Sequence, residues 1–253
     1  MVAGSADAAF PRRAGTDADD RPTSQTLDRG LTVLELLSTA AEPMSLSQLS
    51  TELGLHKSIL YRLLRTLQSH SFVAHTPFGY VLGTGAQTLG RRTSPVLQRL
   101  AKPEVAKLAA TVGLTAFFVV RDGEEAVTLV SVEVESARSR VVYSPGERHP
   151  LTLGAPGLAI LSADPPRPGE RPEIAQARLD GYASTRSEVI PGVATLAAPV
   201  RTSSGRAIAS VAIVYRVERL GPAEVRSICD TARILTGRVQ KAQAAGAVFA
   251  GID

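Results

Sequence analysis

The sequence predicts an α+β fold in two parts, and three observations carry that prediction. From Gln25 to Leu67, apolar residues recur at helical spacing, broken by turn residues. From Leu114 to Tyr215, the pattern changes to short runs of strand formers separated by Gly, Pro and Asp turns. Between these regions the charge is one-sided. There is no Asp or Glu from Leu53 to Pro103, while Lys57, Arg62, Arg65, Arg91, Arg92, Arg99 and Lys102 are all basic. From Glu104 onward, 17 basic residues face 16 acidic ones. The net charge of +4 over 253 residues is therefore concentrated in one stretch. Such a stretch is the electrostatic footprint of a polyanion partner.

Residues 1–23 are Ala, Asp, Gly, Pro and Arg without periodicity, and are expected to be a disordered tail. Gln25–Ser38 reads as a first helix with Leu27, Leu31, Leu34 and Leu36 or Leu37 as its buried stripe. Gly30 weakens that helix by about 1 kcal/mol relative to Ala. Met44–Leu46 suggests a short strand. Ser47–Leu67 then reads as helix, tight turn, helix. Ser47 is expected to cap the first, and Gly54 to stop it in the left-handed conformation.

The second of these helices carries two stripes. Leu60, Leu63, Leu64 and Leu67 form an apolar face. Ser58, Tyr61, Arg62 and Arg65 repeat the same spacing on a face rotated away from it. A helix in the DNA major groove needs this division, because Arg pairs bidentately with guanine while hydroxyls and lysines reach phosphates. Ser58, Tyr61, Arg62 and Arg65 are thus expected on the groove, with Lys57 and Ser47 on phosphates. An ordinary solvated helix has the same amphipathic look, and the acid-free surroundings favour DNA. Phe72–Leu82 follows as a hairpin turning at Thr76-Pro77-Phe78-Gly79. A hairpin after the third helix makes residues 24–82 a winged helix-turn-helix, with His75 and Thr76 near the tip within reach of backbone or minor groove. A linker helix is expected over 83–100. The glycines at 83, 85 and 90 resemble a dinucleotide fingerprint, but Thr88 stands where its third glycine belongs and no parallel βαβ unit follows.

Residues 101–253 read as a second domain. A helix ends at Gly113, with Pro103 expected to interrupt or kink it. TAFFVV and AVTLVSVEV are strands joined at Asp122-Gly123. Arg138–Tyr143 is a further strand and Gly146–Pro150 a loop. LTLGAPGLAILS is a turn into a helix, and Glu173–Leu179 a short helix. GYAST, VATLAAPV and RAIASVAIVY are strands, and Glu224–Ala245 is a closing helix. Hairpins dominate, so the sheet is expected to be antiparallel with helices against it.

Chemistry in this half is sparse. One cysteine, Cys229, excludes an internal disulfide and a cysteine zinc cluster. His149 is its only histidine, and no spacing suggests a metal, a cofactor or a catalytic set. An enzyme that used His149 and Cys229 behind a basic docking module is the reading from another class. No apolar run approaches the roughly 20 residues of a spanning helix, and the N-terminus lacks the core of a signal peptide, so a cytoplasmic address is expected. Gly154-Ala155-Pro156-Gly157 lets a ligand approach a helix start, where free amides and the helix dipole favour an anion.

QTLDRGLTVLELL, MSLSQLSTELGLHKSILYRLLRTLQSHSFV and YVLGTGAQTLG together resemble the N-terminal half of IclR-family bacterial transcriptional regulators. PLTLGAPGLAIL and GYASTRSEVIPGVATLAAPV resemble that family's second half, with Gly181, Glu188 and the AAPV segment at the family's spacings. Thr185 and Thr195 depart from the residues usual there, Leu158 stands where Lys is usual, and the segment between Leu161 and Gly181 is shorter than the norm. The resemblance implies a GAF-like effector domain, and because one winged domain is a small reader, a homodimer or dimer of dimers over two half-sites of a double-stranded DNA operator is expected. It also implies a small-molecule effector. Carried over by position, Ala155, Pro156, Thr185, Thr195, Ala212 and Val214 join Gly154 around the pocket. Two readings of that pocket stay open: a carboxylate or more apolar metabolite binds there, or it is degenerate and the domain only dimerises.

Overall fold

A computed structural model describes residues 24–90, 95–134, 143–215, 221–247 and 249. The tail 1–23, Arg91, Arg92 and most of the strand expected at Arg138–Tyr143 lie outside these. Two units make up the chain, 1–93 and 94–253.

In the first unit, α1 (Gln25–Thr39) is followed by α2 (Leu46–Leu53), α3 (Lys57–Ser69), a hairpin of β1 (Val73–Thr76) and β2 (Gly79–Leu82), and α4 (Thr84–Gly90). The core is Val33, Leu37, Leu49, Leu60, Leu63, Leu64, Val73 and Tyr80. The stripe of α1 differs from expectation. Gly30, Val33 and Leu37 are buried, while Leu27 and Leu31 are 63% and 51% exposed. Five leucines in 15 residues exceed one helix face, so spacing alone could not choose which face packs. Met44 makes only a two-bond bridge with Tyr80, and Leu46 already belongs to α2, so no strand spans 44–46.

The glycines after the hairpin serve packing. A Cβ on Gly83 would lie 2.2 Å from the Ser71 carbonyl oxygen, and one on Gly85 2.8 Å from that of His70. The stretch 83–100 is divided between the units: α4 belongs to the first, and α5 (Pro95–Val112) to the second.

Pro103 sits inside α5 without ending it. Burial of Leu97, Ala101, Val105, Leu108 and Ala109 holds the helix across the one hydrogen bond that proline cannot make. Beyond it, β3 (Thr115–Asp122), β4 (Glu125–Val132), β5 (Arg148–Pro150), β6 (Ala183–Arg186), β7 (Ala194–Arg201) and β8 (Ala207–Tyr215) form one sheet. Its order is β5-β4-β3-β8-β7-β6, and every neighbouring pair is antiparallel. The Gly146–Pro150 loop expected from sequence is in part strand β5, a three-residue edge too short and polar to announce itself. The β3–β4 turn is centred on Gly123-Glu124, with Asp122 already paired to Glu125.

One sheet face packs against α5 and α8 (Pro222–Ala244) through Phe118, Leu196, Val211, Ile213, Ile228 and Leu235. The other packs against α6 (Gly154–Leu161) and α7 (Pro172–Asp180) through Phe117, Val119, Leu158, Ile160 and Ala197. Covering both faces explains why β3, β7 and β8 are buried almost end to end instead of alternating. Among the described residues no helix is long and apolar enough to cross a membrane.

Candidate nucleic-acid interface and ligand site

The turn between α2 and α3 is built locally. Ser45, not Ser47, caps α2: Gln48 N–H donates to Ser45 Oγ at 3.3 Å, and Ser45 N–H donates to Gln48 Oε1 at 2.8 Å. This reciprocal box starts the helix two residues earlier than expected and places Ser47 inside its first turn, exposed. Gly54 ends α2 at φ 62°, and Ser50 Oγ donates to the Leu55 carbonyl at 2.6 Å, closing the turn.

The two stripes of α3 separate as expected. Leu60, Leu63 and Leu64 are buried and Leu67 packs beside them. Lys57, Ser58, Tyr61, Arg62 and Arg65 are all exposed, Tyr61 at 54%. His56 at the start of α3 offers its first turn no side-chain cap. In the hairpin, His75 is exposed with its ring 4.6 Å from that of Tyr80. Thr76 is half-buried, and its hydroxyl donates to the Gly79 carbonyl at 2.9 Å and accepts from Phe78 N–H at 3.2 Å.

In the second unit, α6 enters from Leu153 with Gly154 at φ 78°. A Cβ on Gly154 would lie 2.8 Å from Val189 Cγ2, and one on Gly157 2.2 Å from the Leu151 carbonyl oxygen. The close approach that the small residues permit is thus made by the chain itself. The first two amides are also taken. Gly154 N–H donates to Glu188 Oε2 and Ala155 N–H to Thr185 Oγ1, both at 2.9 Å. Arg171 clamps the Glu188 carboxylate, Nη2 to Oε1 at 2.9 Å and Nη1 to Oε2 at 3.2 Å, and ties Nη1 to the Thr152 carbonyl at 2.9 Å. The Arg171 hydrogen bonds hold the Glu188 carboxyl below the usual carboxylate range. The expectation of free amides at this helix start is therefore corrected: two acceptors from elsewhere in the fold complete it.

The structure gathers the other expected pocket residues on the α6 side of the sheet. Thr185 pairs with Thr195, Thr195 with Val214, and Ala197 with Ala212. Pro156 is buried at the helix start, its carbonyl accepting from Ser210 Oγ at 3.0 Å. Sequence reasoning missed two aromatics here. Tyr143 is buried with its hydroxyl near Thr195, and stacks on Phe117 with centroids 4.5 Å apart and planes 5° off parallel. Burial pushes its phenol upward in pKa. Only the β3–β8–β7 pairing brings Phe117 and Thr195 near one another, so no local signal marked them. His149 lies beside Gly154, and its Nδ1 is 3.1 Å from the Pro150 carbonyl oxygen. Burial lowers its pKa and favours the neutral ring. Cys229 packs with the cluster on the opposite face of the sheet, so the two residues of the enzyme reading are not brought together. Among the described residues no group of three or more His, Cys, Asp or Glu is placed to hold a metal ion.

A comparison with known proteins decides the family. The glycerol operon regulatory protein of Streptomyces griseus is 31% identical over 222 residues, covering 78% of this chain and 87% of that protein. The chain belongs to the IclR family. The family's models agree: the IclR helix-turn-helix domain matches residues 26–77 and the bacterial transcriptional regulator IclR C-terminal domain matches 167–236. The HTH-type transcriptional regulator XynR of Escherichia coli K12 is 26% identical, covering 81% of this chain and 91% of its own. Among solved structures, an IclR transcriptional regulator from Alicyclobacillus acidocaldarius superposes with a TM-score of 0.73 at 22% identity, over 86% of this chain and all of that one. As an IclR-family member, the chain is a DNA-binding transcriptional regulator with an N-terminal helix-turn-helix and a C-terminal effector domain.

Proposed function

We propose that this regulator reads its operator with the exposed face of α3 and responds to a small organic ligand held between α6 and the sheet. The observation that carries the first part is the separation of faces on α3: every leucine packs, and every hydroxyl and guanidinium stays in solvent. Ser58, Tyr61, Arg62 and Arg65 lie against base edges and nearby backbone, Lys57 and Ser47 on phosphates, and His75 and Thr76 on the flanking backbone. The uncapped first turn of α3 adds amides that suit a phosphate. One such domain reads few base pairs, so the working species is a homodimer, or a dimer of dimers, over two half-sites. It acts in the cytoplasm and carries out no catalysis.

The ligand pocket is lined by Gly154, Ala155, Pro156, Thr185, Thr195, Ala212 and Val214, with Phe117 and Tyr143 added. Because Glu188 and Thr185 take the first amides of α6, a carboxylate has to displace them to bind there. A ligand with a flat apolar body and a hydroxyl suits the Phe117–Tyr143–Thr195 corner better. An IclR homolog of Microbacterium hydrocarbonoxydans, similar in fold with a TM-score of 0.71 at 21% identity, was solved with 4-hydroxybenzoate. The dense packing of Phe117, Tyr143 and Leu158 favours a second reading, in which the pocket is filled and the domain only dimerises. A ligand shifts DNA affinity only by its differential affinity for two states of the protein.

Selection of genomic fragments by the purified full-length protein tests the first part. A sharply enriched pair of half-sites supports it; diffuse binding that vanishes with salt refutes base reading. Thermal shift across phenols and aromatic and aliphatic acids tests the second. A ligand at 100 times its dissociation constant adds about 2.7 kcal/mol, and no shift with any of them favours the filled pocket.

A further inference from the structure

The wing of this domain has an unusual balance of groups. From Thr66 to Gly90 there is no Lys, Arg, Asp or Glu. A wing normally adds to DNA binding by setting cations against phosphates, and this hairpin has none to set. What it does project is Phe78, 81% exposed at the turn, flanked by exposed Pro77 and His75. The other described phenylalanines are buried or partly buried.

The turn holds that ring out on a fixed mount. Thr76 Oγ1 bonds both the Phe78 amide and the Gly79 carbonyl. Gly79 takes φ 141°, and a Cβ there would lie 2.7 Å from the Met44 backbone. Met44 and Tyr80 exchange hydrogen bonds of 3.0 and 2.8 Å, so the segment before α2 straps the base of the hairpin. Such a mount loses little entropy on contact, which an unrestrained loop would not achieve.

We propose that Phe78 is an apolar wedge that enters the minor groove beside each half-site and partly unstacks one base step. The proposal rests on the reading of α3 as the groove-bound helix. Wedges of this kind kink the duplex and favour pyrimidine–purine steps, which unstack most readily. Phe78 then contributes sequence preference without hydrogen bonds and without phosphate neutralisation. That second property separates it from the α3 face. Losing a cation lowers the salt dependence of binding, whereas losing a wedge leaves it unchanged.

The test uses full-length protein and duplexes that carry its selected genomic site, with 2-aminopurine placed at the steps flanking each half-site. The variants are Phe78→Ala, Phe78→Leu and Arg65→Ala. Wild type is expected to raise 2-aminopurine emission at one flanking step and to bend the duplex in an end-to-end energy-transfer measurement. Phe78→Ala is expected to abolish the emission change, reduce the bend and weaken binding roughly tenfold, the scale of one lost base–aromatic stack. Its salt slope should equal that of wild type. Phe78→Leu, still a wedge, should keep most of the bend. Wild-type affinity and emission in Phe78→Ala, alongside lost binding in Arg65→Ala, would overturn the wedge and leave the α3 reading standing. A salt slope lowered in Phe78→Ala would overturn it too, since Phe78 would then be acting by holding neighbouring groups on phosphates.

Discussion

The starts of α3 and α6 make opposite use of the same feature. Both helices begin on a residue whose side chain gives no cap, His56 in one and Leu153 in the other. At α3 no side chain among the described residues fills that role, and exposed Lys57 and Ser58 stand at the helix start. At α6 the fold supplies both acceptors, from residues 34 and 30 positions further along the chain. A helix start is a local property that a sequence displays. Whether its amides are available is decided by what packs over it. The start of α3 has no cap from its own N-cap side chain, while the start of α6 is filled by the fold.

The largest test of this contrast is Gly157→Ala. The added methyl would meet the Leu151 backbone, which cannot move aside as a side chain can. The α6 entry should lose about 3 kcal/mol by overpacking, read as a lower melting temperature of the second unit. Gly54→Ala is a useful companion, since nothing crowds its Cβ and only the left-handed backbone costs, about 1 kcal/mol.

Next in size is Arg65→Ala. It should cost about 1–3 kcal/mol of operator binding and relax preference at one base pair. Uniform weakening on all sequences would instead make Arg65 a phosphate contact. Competition binding against single-base variants of the operator distinguishes the two.

Glu188→Gln tests the filled start of α6. It removes the carboxylate charge that joins Arg171 to the Gly154 amide, at a cost of about 1.5–2 kcal/mol, the low end for hydrogen bonds to charged groups because the amide oxygen still accepts. The pH dependence has a definite sign. Glu188 has its folded pKa lowered by Arg171, so its contribution is complete above the unfolded value and disappears as pH falls through the folded one. Glu170 and Glu173 are lowered by Arg178 and Arg171 and act in the same acid window. His149 is also lowered, by burial, so it too loses stability on acidification, but nearer neutrality. Melting curves of wild type and Glu188→Gln should converge in strong acid. If the gap between them persists there, the carboxylate is not the source.

The smallest effect concerns α2. Ser45→Ala should cost about 1 kcal/mol, the usual loss of an N-cap, while Ser47→Ala should leave stability nearly unchanged. Ser47→Ala tests its phosphate role separately, through DNA affinity.

How much of this was readable in advance differs between the halves for a physical reason. The helix-turn-helix is made of contacts a few residues apart. Gly54, the leucines of α3 and the Thr76–Gly79 turn therefore appeared where the sequence put them. The errors there came from surplus signal: two serines near one helix start, and five leucines on α1 where one stripe packs. In the second unit, the strands were legible as runs of strand formers, and β5 was lost because three residues are too few to show a pattern. The candidate pocket was legible only as a list. That Thr185 and Glu188 reach α6 depends on contacts 30 and 34 residues apart, and that Tyr143 and Phe117 meet the strand of Thr195 depends on the long-range pairing of β3 with β8.

By itself, the sequence determined the α+β class, the winged helix-turn-helix, the exposed basic face of α3 and the family. Periodicity, charge and glycine placement are set residue by residue along the chain. The tertiary structure alone decided which face of α1 packs, that the α6 amides are filled from within, and that Phe78 stays exposed at the tip of the wing. Those are statements about which groups remain unsatisfied after folding, and only the packed molecule has that remainder.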